Sequence, residues 1–151
     1  MKSITPFLWF DDNLEEAIEL YSSLFPGATV HGINRSPEGT VFSADFELAG
    51  QQFKALNGGP AHAFTEAFSL FVECEDQAEV DRLWDALTAN GGEESQCGWL
   101  KDRFGLSWQI IPTAFGELMS TGGPEQVQRV VAAMMTMQKL DVAALRAAHA
   151  G

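Results

Sequence analysis

The chain has 151 residues, 46% apolar and 20% charged, a balance that suits a folded globular domain and excludes a disordered chain. Nine Lys and Arg against 21 Asp and Glu give a formal charge of −12, the wrong sign for a surface that tracks phosphates, so no nucleic-acid partner is expected. Apolar runs fall short of the roughly 20 residues that cross a bilayer, and no signal peptide is expected ahead of the first strand. The expectation is a cytoplasmic protein with no membrane partner.

The element order begins with a strand over Ile4 to Phe10, with Pro6 near its start, where a missing N–H is tolerated. Asp11-Asp12-Asn13 offers an N-cap, and Glu15 stands three residues after Asp12 as in a capping box. Leu14, Ala17, Ile18, Tyr21, Leu24 and Phe25 follow at helical spacing, and Pro26-Gly27 ends that helix. Three strands come next: a weak one over Ala28 to Asn34, one over Val41 to Ala49, and one over Gln52 to Asn57 after a Gly50-Gln51 turn. In the middle strand Phe42, Ala44, Phe46 and Leu48 are predicted to share a face, with Ser43, Asp45 and Glu47 opposite. Gly58-Gly59-Pro60 closes the first β-α-β-β-β run.

The order then repeats. Phe68 to Cys74 reads as a strand, and Asp76 caps a helix with Glu79 in the box position and Val80, Leu83, Trp84 and Leu87 as its buried stripe. Asn90-Gly91-Gly92 stops it. A short strand near Glu93 to Ser95 leads to a hairpin in which Trp99 to Arg103 and Leu106 to Ile111 flank a Phe104-Gly105 turn, and Pro112 ends the ladder. The tail is helical: a turn over Thr113 to Thr121, a helix opening at Pro124, and a last one over Val142 to Ala148 capped by Asp141. Val127, Val130, Val131, Met134 and Gln138 mark a side suited to covering the core or a dimer partner. The fold class is α+β: a single domain of 1–151 with modules over 1–60 and 66–112 and a helical extension over 113–151. Neither module can bury both faces of its sheet alone.

Eleven Phe and four Trp against one Tyr point to a ring-filled interior and an aromatic-lined cavity. Cys74 and Cys97 form no CxxC pair and no zinc-type spacing with His31, His62 or His149. Cys74 reads as a buried small hydrophobe, Cys97 as packing or pocket wall, and His31, His62 and His149 as surface residues, with His62 the one placed to overhang a cavity mouth. Lys101-Asp102-Arg103 reads either as a solvated hairpin tip or, through Lys101 or Arg103, as a guide for an anionic ligand.

The paired modules, together with Thr5 to Phe10, Leu56-Asn57-Gly58-Gly59-Pro60, Phe71 to Asp76 and Gly98 to Pro112, resemble the vicinal oxygen chelate superfamily of glyoxalases, bleomycin-resistance proteins and ring-cleaving dioxygenases. Within it the chain looks most like the PhnB-like branch labelled 3-demethylubiquinone-9 3-methyltransferase. The resemblance implies an incomplete barrel in each module around a cavity that in many members holds a divalent metal, and a homodimer. The ligand slots carried over by strand position are Thr5, Asn57, Ser69 and Gln109, neutral groups that hold transition metals poorly. No cofactor and at most a weakly held metal are therefore expected. By strand alternation Thr5 travels with Phe7 and Trp9, Ser69 with Phe71 and Glu73, Gln109 with Ser107 and Ile111, and Asn57 with Ala55 and Phe53. Thr5, Phe7, Trp9, Asn57, Ser69, Phe71, Trp99 and Gln109 are the expected ligand-binding residues, around a small molecule. The activity is unassigned; the alternative is a metal-dependent lyase or oxygenase. Methyl transfer of the Rossmann type is set aside, because the first strand runs into Asp11-Asp12-Asn13 rather than a glycine-rich turn.

Overall fold

A computed structural model describes residues 3–151, which fall into two compact units, one ending at Phe64 and the other running from Thr65 to Gly151. In the first unit β1 (Phe7–Phe10), α1 (Leu14–Leu24), β2 (Thr29–Arg35), β3 (Val41–Leu48) and β4 (Gln51–Asn57) form a helix on a four-stranded sheet of order β1-β4-β3-β2. β1 runs parallel to β4, which forces the helical crossover between them; the other pairs are antiparallel hairpins. The predicted stripe Leu14, Ala17, Ile18, Tyr21 and Leu24 is buried. It faces Leu8, Phe10, Ala44, Phe46, Phe53 and Ala55, all 3% exposed or less. Phe46 and Phe53 stack across the β3–β4 hairpin with ring centroids 5.4 Å apart.

Three local expectations give way in this unit. The residue at the start of α1 is Asn13, but its side chain makes no cap; the Leu14 N–H donates instead to Asn57 Oδ1, 2.9 Å away. The β3–β4 turn is built on Ala49 and Gly50, both with positive φ, one residue earlier than Gly50-Gln51. Phe42 does not join Ala44 and Phe46. Arg35 pairs with Val41 and Asn34 with Ser43, so Phe42 is the extra residue of a bulge, which turns Val41 inward and leaves Phe42 59% exposed.

The second unit repeats the plan with β5 (Ser69–Cys74), α2 (Gln77–Thr88), β6 (Glu93–Glu94), β7 (Trp99–Lys101) and β8 (Ser107–Pro112), in sheet order β5-β8-β7-β6 with β5 parallel to β8. Asp76 Oδ1 accepts the Glu79 N–H at 2.9 Å, while Glu79 Oε2 accepts the N–H of Glu75 at 2.8 Å, so the reciprocal bond lands one residue before the cap. Val80, Leu83, Trp84 and Leu87 are buried as predicted. Asn90 and Gly91 carry the positive φ that stops the helix. Pro112 closes the ladder opposite Cys74 and leads directly into the next helix.

Three helices complete this unit: α3 (Thr113–Thr121), α4 (Pro124–Met134) and α5 (Val142–Ala150). Leu118, Val130, Leu140 and Leu145 form a core with Ile111 of β8, with Phe115, Met119, Met134 and Met137 at its margin. Of the predicted α4 stripe only Val130 is fully buried. α5 runs two residues past its predicted end. Its last turn is held by Arg129, which donates to the carbonyls of Ala148 and His149 at 2.8 Å each, so His149 belongs to a fixed helix end and its Nε2 is buried. The segment before α5 is fastened to the module. Cys97 and Gly98 donate their N–H groups to the carbonyls of Met137 and Gln138, both at 2.8 Å. Gln77 bridges the Leu140 carbonyl at 3.0 Å and the Val142 N–H at 2.8 Å. Glycine is required at 98: φ is +85°, and a Cβ there would lie 2.7 Å from Ile111 and 3.3 Å from Leu140. Among the described residues no helix is long and apolar enough to cross a membrane.

Candidate functional site

Each sheet packs one face on α1 or α2; the candidate residues lie on the opposite face, which in the second unit is covered at its Ile111 end by α3 to α5. In the first unit the residue paired with Phe7 on β4 is Lys54, whose partner on β3 is Asp45; in the second, Phe71 pairs with Gln109 and Gln109 with Trp99. The parallel ladders end at equivalent pairs, Phe10 with Asn57 and Cys74 with Pro112. Counting back three residues from those ends makes Phe7 the counterpart of Phe71 and Lys54 the counterpart of Gln109. Phe7 and Phe71, on the edge strands β1 and β5, are 57% and 56% exposed.

In the first unit Thr5 lies just before β1 and lines a cavity of about 320 Å³ with Ser3, His31, Asp45, Gln52 and Lys54. Lys54 Nζ reaches both Asp45 carboxylate oxygens at 2.9 Å, and His31 Nε2 lies 3.4 Å from Glu47 Oε2. Trp9 is held at the upper end: its Nε1 donates to the Gly59 carbonyl at 2.9 Å and its ring meets the His62 ring edge-on at 4.8 Å. A Cβ on Gly58 would fall 2.2 Å from Trp9 Cζ2, so the Gly58-Gly59 loop can fold against this ring only as glycine. His62 thus touches a predicted site residue, although neither ring lines this cavity.

Asn57 is the predicted residue set apart. It shares its parity with Ala55 and Phe53, and that is the helix-covered face, opposite Thr5, Phe7 and Trp9. Its amide is occupied there, accepting from Leu14 N–H at 2.9 Å and donating to the Val41 carbonyl at 3.0 Å. Lys54, Asp45 and Gln52, which alternation places on the face with Thr5 and Phe7, and His31, at a β2 bulge beside the same cavity, were not among the expected residues. The parity of Asn57 leads instead to Phe53 and Ala55, which lie beneath the apolar stripe of α1, although Phe53 also borders the cavity.

In the second unit the predicted residues do come together. Ser69, Phe71, Trp99 and Gln109 share one face, and Gln109 Nε2 donates to Ser69 Oγ at 3.0 Å. Ser107, directly opposite Ser69 and of the same parity as Gln109, is 1% exposed, and its Oγ has no hydrogen-bond partner among the described residues. The charged stretch at the hairpin tip splits three ways. Lys101 Nζ pairs with Glu66 at 2.5 Å, which raises the lysine pKa and lowers that of Glu66. Arg103 lies over the Phe104 ring, 4.9 Å from its centroid. Asp102 is not solvated at all: it is 2% exposed and accepts from the N–H groups of Phe104 (2.9 Å) and Leu106 (3.1 Å) and from Trp108 Nε1 (2.9 Å).

The first face carries His31, Asp45 and Glu47 beside Lys54, the second hydroxyls and an amide. Among the described residues no three His, Cys, Asp or Glu side chains gather closely enough to hold a metal ion. Burial pushes the Cys74 thiol up to about 12, so it is inert at neutral pH, and Cys97 rests half-buried with Sγ 3.7 Å from Met135 Sδ.

A family model described as 3-demethylubiquinone-9 3-methyltransferase matches residues 2–111. Among solved structures, a PhnB protein from Bacillus cereus carrying the same methyltransferase description is 34% identical over 74% of this chain and 99% of that one, with a TM-score of 0.68. Protein PA1353 from Pseudomonas aeruginosa (21% identity, 74% and 98% coverage, TM-score 0.61) shows the same fold. So does the fosfomycin resistance protein FosX from Listeria monocytogenes, solved with Mn(II) and sulfate (15% identity, 73% and 91% coverage, TM-score 0.54). No curated protein matches significantly. The paired β-α-β-β-β units, the family match and the 34% identical relative together place this chain in the PhnB-like, 3-demethylubiquinone-9 3-methyltransferase-type family.

Proposed function

We propose that this chain binds a small, partly aromatic molecule on the sheet faces opposite α1 and α2, without a resident metal, as a cytoplasmic homodimer. The observation that carries this reading is the matched pair Phe7 and Phe71, each more than half exposed at equivalent positions, each beside a polar partner, Lys54 or Gln109. Burying such a ring against a ligand is worth about 2 kcal/mol, and one amide or ammonium beside it supplies orientation, the usual makeup of a small-molecule site. The neutral hydroxyls and amide favour binding over metal-assisted chemistry. Exposed Val30 and Ile33 on the edge strand β2, and Met135 after α4, offer apolar surface for a second copy.

The test is an aromatic fragment screen by ligand-observed NMR, followed by titration of the tightest fragment against Phe71→Ala and Gln109→Ala. Each substitution is expected to weaken binding about tenfold; unchanged affinity in both would sink the site assignment. Native mass spectrometry of protein prepared without chelator or nickel column checks the rest. A dimer mass with no stoichiometric ion is expected, and a bound divalent ion would overturn the metal-free reading.

A further inference from the structure

The second unit's face also carries information about the ligand's polar end. Three side chains converge beside Phe71 and Trp99: Ser69, Gln109 and Ser107. The Gln109–Ser69 bond uses one amide proton and one hydroxyl lone pair, leaving the Ser69 proton and the second amide proton to donate and Gln109 Oε1 to accept. Turning the amide over exchanges the roles and still leaves both donors and acceptors unused. Ser107 Oγ adds another of each, and it is buried without a partner among the described residues. Leaving a buried hydroxyl without a partner is unfavourable, a penalty a bound group would relieve.

We propose that this trio is a subsite for a neutral group that both donates and accepts, a phenolic hydroxyl or a primary amide on an aromatic ring; this rests on the aromatic-ligand reading above. A carboxylate only accepts, so it can take protons from the trio but offers none to Gln109 Oε1. The nearby ammonium does not rescue it, since Lys101 is held by Glu66 at 2.5 Å. Glu73, on the same face, and the net charge of −12 add repulsion. A hydrocarbon ring would fill the Phe71–Trp99 surface and leave Ser107 unsatisfied.

The test compares phenol, benzamide, benzoate and toluene as probes, following the Trp99 indole and Gln109 side-chain amide signals in two-dimensional NMR titrations. Phenol and benzamide are expected to bind about tenfold tighter than toluene and benzoate. Ser107→Ala is expected to abolish the phenol-over-toluene ratio, which a general loss of packing would not move. The variant should fold, because it removes an unpartnered hydroxyl and leaves a methyl-sized group in its place. Equal binding of all four probes, or a ratio that survives Ser107→Ala, overturns the subsite while the aromatic reading stands. If no probe moves either signal, the aromatic reading falls and the subsite with it.

Discussion

Asp102 closes the second unit's hairpin on a single carboxylate. The bond to Phe104 N–H makes a local Asx turn, the bond to Leu106 N–H brings the chain back, and the bond to Trp108 Nε1 ties that turn to the first residues of β8. Three donors lose their acceptor in Asp102→Ala, two of them beside residues with 1% exposure or less, Leu106 and Trp108. A loss of about 3 kcal/mol is expected, read as a lower urea midpoint with an unchanged slope. A variant as stable as the parent would show that water replaces the carboxylate. Between Lys101 and Arg103 this aspartate looks like one more surface charge, because charge patterning records sign and spacing but not where donors converge. The spacing Asp102-x-Phe104-Gly105-Leu106 was the available signal, a turn in which an aspartate side chain caps the N–H two residues on.

At the scale of elements, α1 and α2 were legible because each has a 3.6-residue stripe and a chemical stop, and α2 also has its own cap in Asp76. α1 lacks one and borrows its cap from the far end of the parallel ladder. Asn57 sits opposite Phe10 at the end of β4, so one amide fixes the α1 start through Leu14 and the β3 start through Val41. Asn57→Ala is expected to cost about 1–2 kcal/mol, checked by thermal melting beside Asn13→Ala, which should cost little because Asn13 makes no side-chain cap. The opposite ranking would return the cap to Asn13. A side chain 43 residues away in sequence leaves no local trace, and a slot chosen by strand position alone does not know which sheet face the helix has taken. The same blindness explains Phe42, which alternation puts inside and a bulge puts outside. Where no bulge intervenes, as along β5 and β8, alternation placed Ser69, Phe71 and Gln109 correctly on one face.

For the molecule as a whole, the question is what the helices after Pro112 add. The family match stops at residue 111, and the Bacillus relative is covered to 99% by only 74% of this chain. Yet α3 to α5 are not a loose appendage. Leu118, Val130, Leu140 and Leu145 share one core with Ile111 of β8. The backbone before α5 takes the N–H groups of Cys97 and Gly98, and Gln77 at the start of α2 is bonded on both sides of its amide to the segment Leu140–Val142. Lys139 adds an ion pair with Asp81 at 3.0 Å, though one so exposed contributes little. Ending the chain after Pro112 would uncover Ile111 and leave the Cys97-Gly98 turn, with its strained left-handed backbone at Cys97, without the bonds that hold it. That turn leads into Trp99, a residue of the candidate site. The expected outcome is faster hydrogen exchange at the amides of β7 and β8 in the truncated protein, greatest at Trp99 and Ile110, whose N–H bonds the Gly98 carbonyl. Exchange as slow as in the full chain would mean that the module holds the face alone, and that the extension evolved for a purpose other than supporting the sheet beneath it.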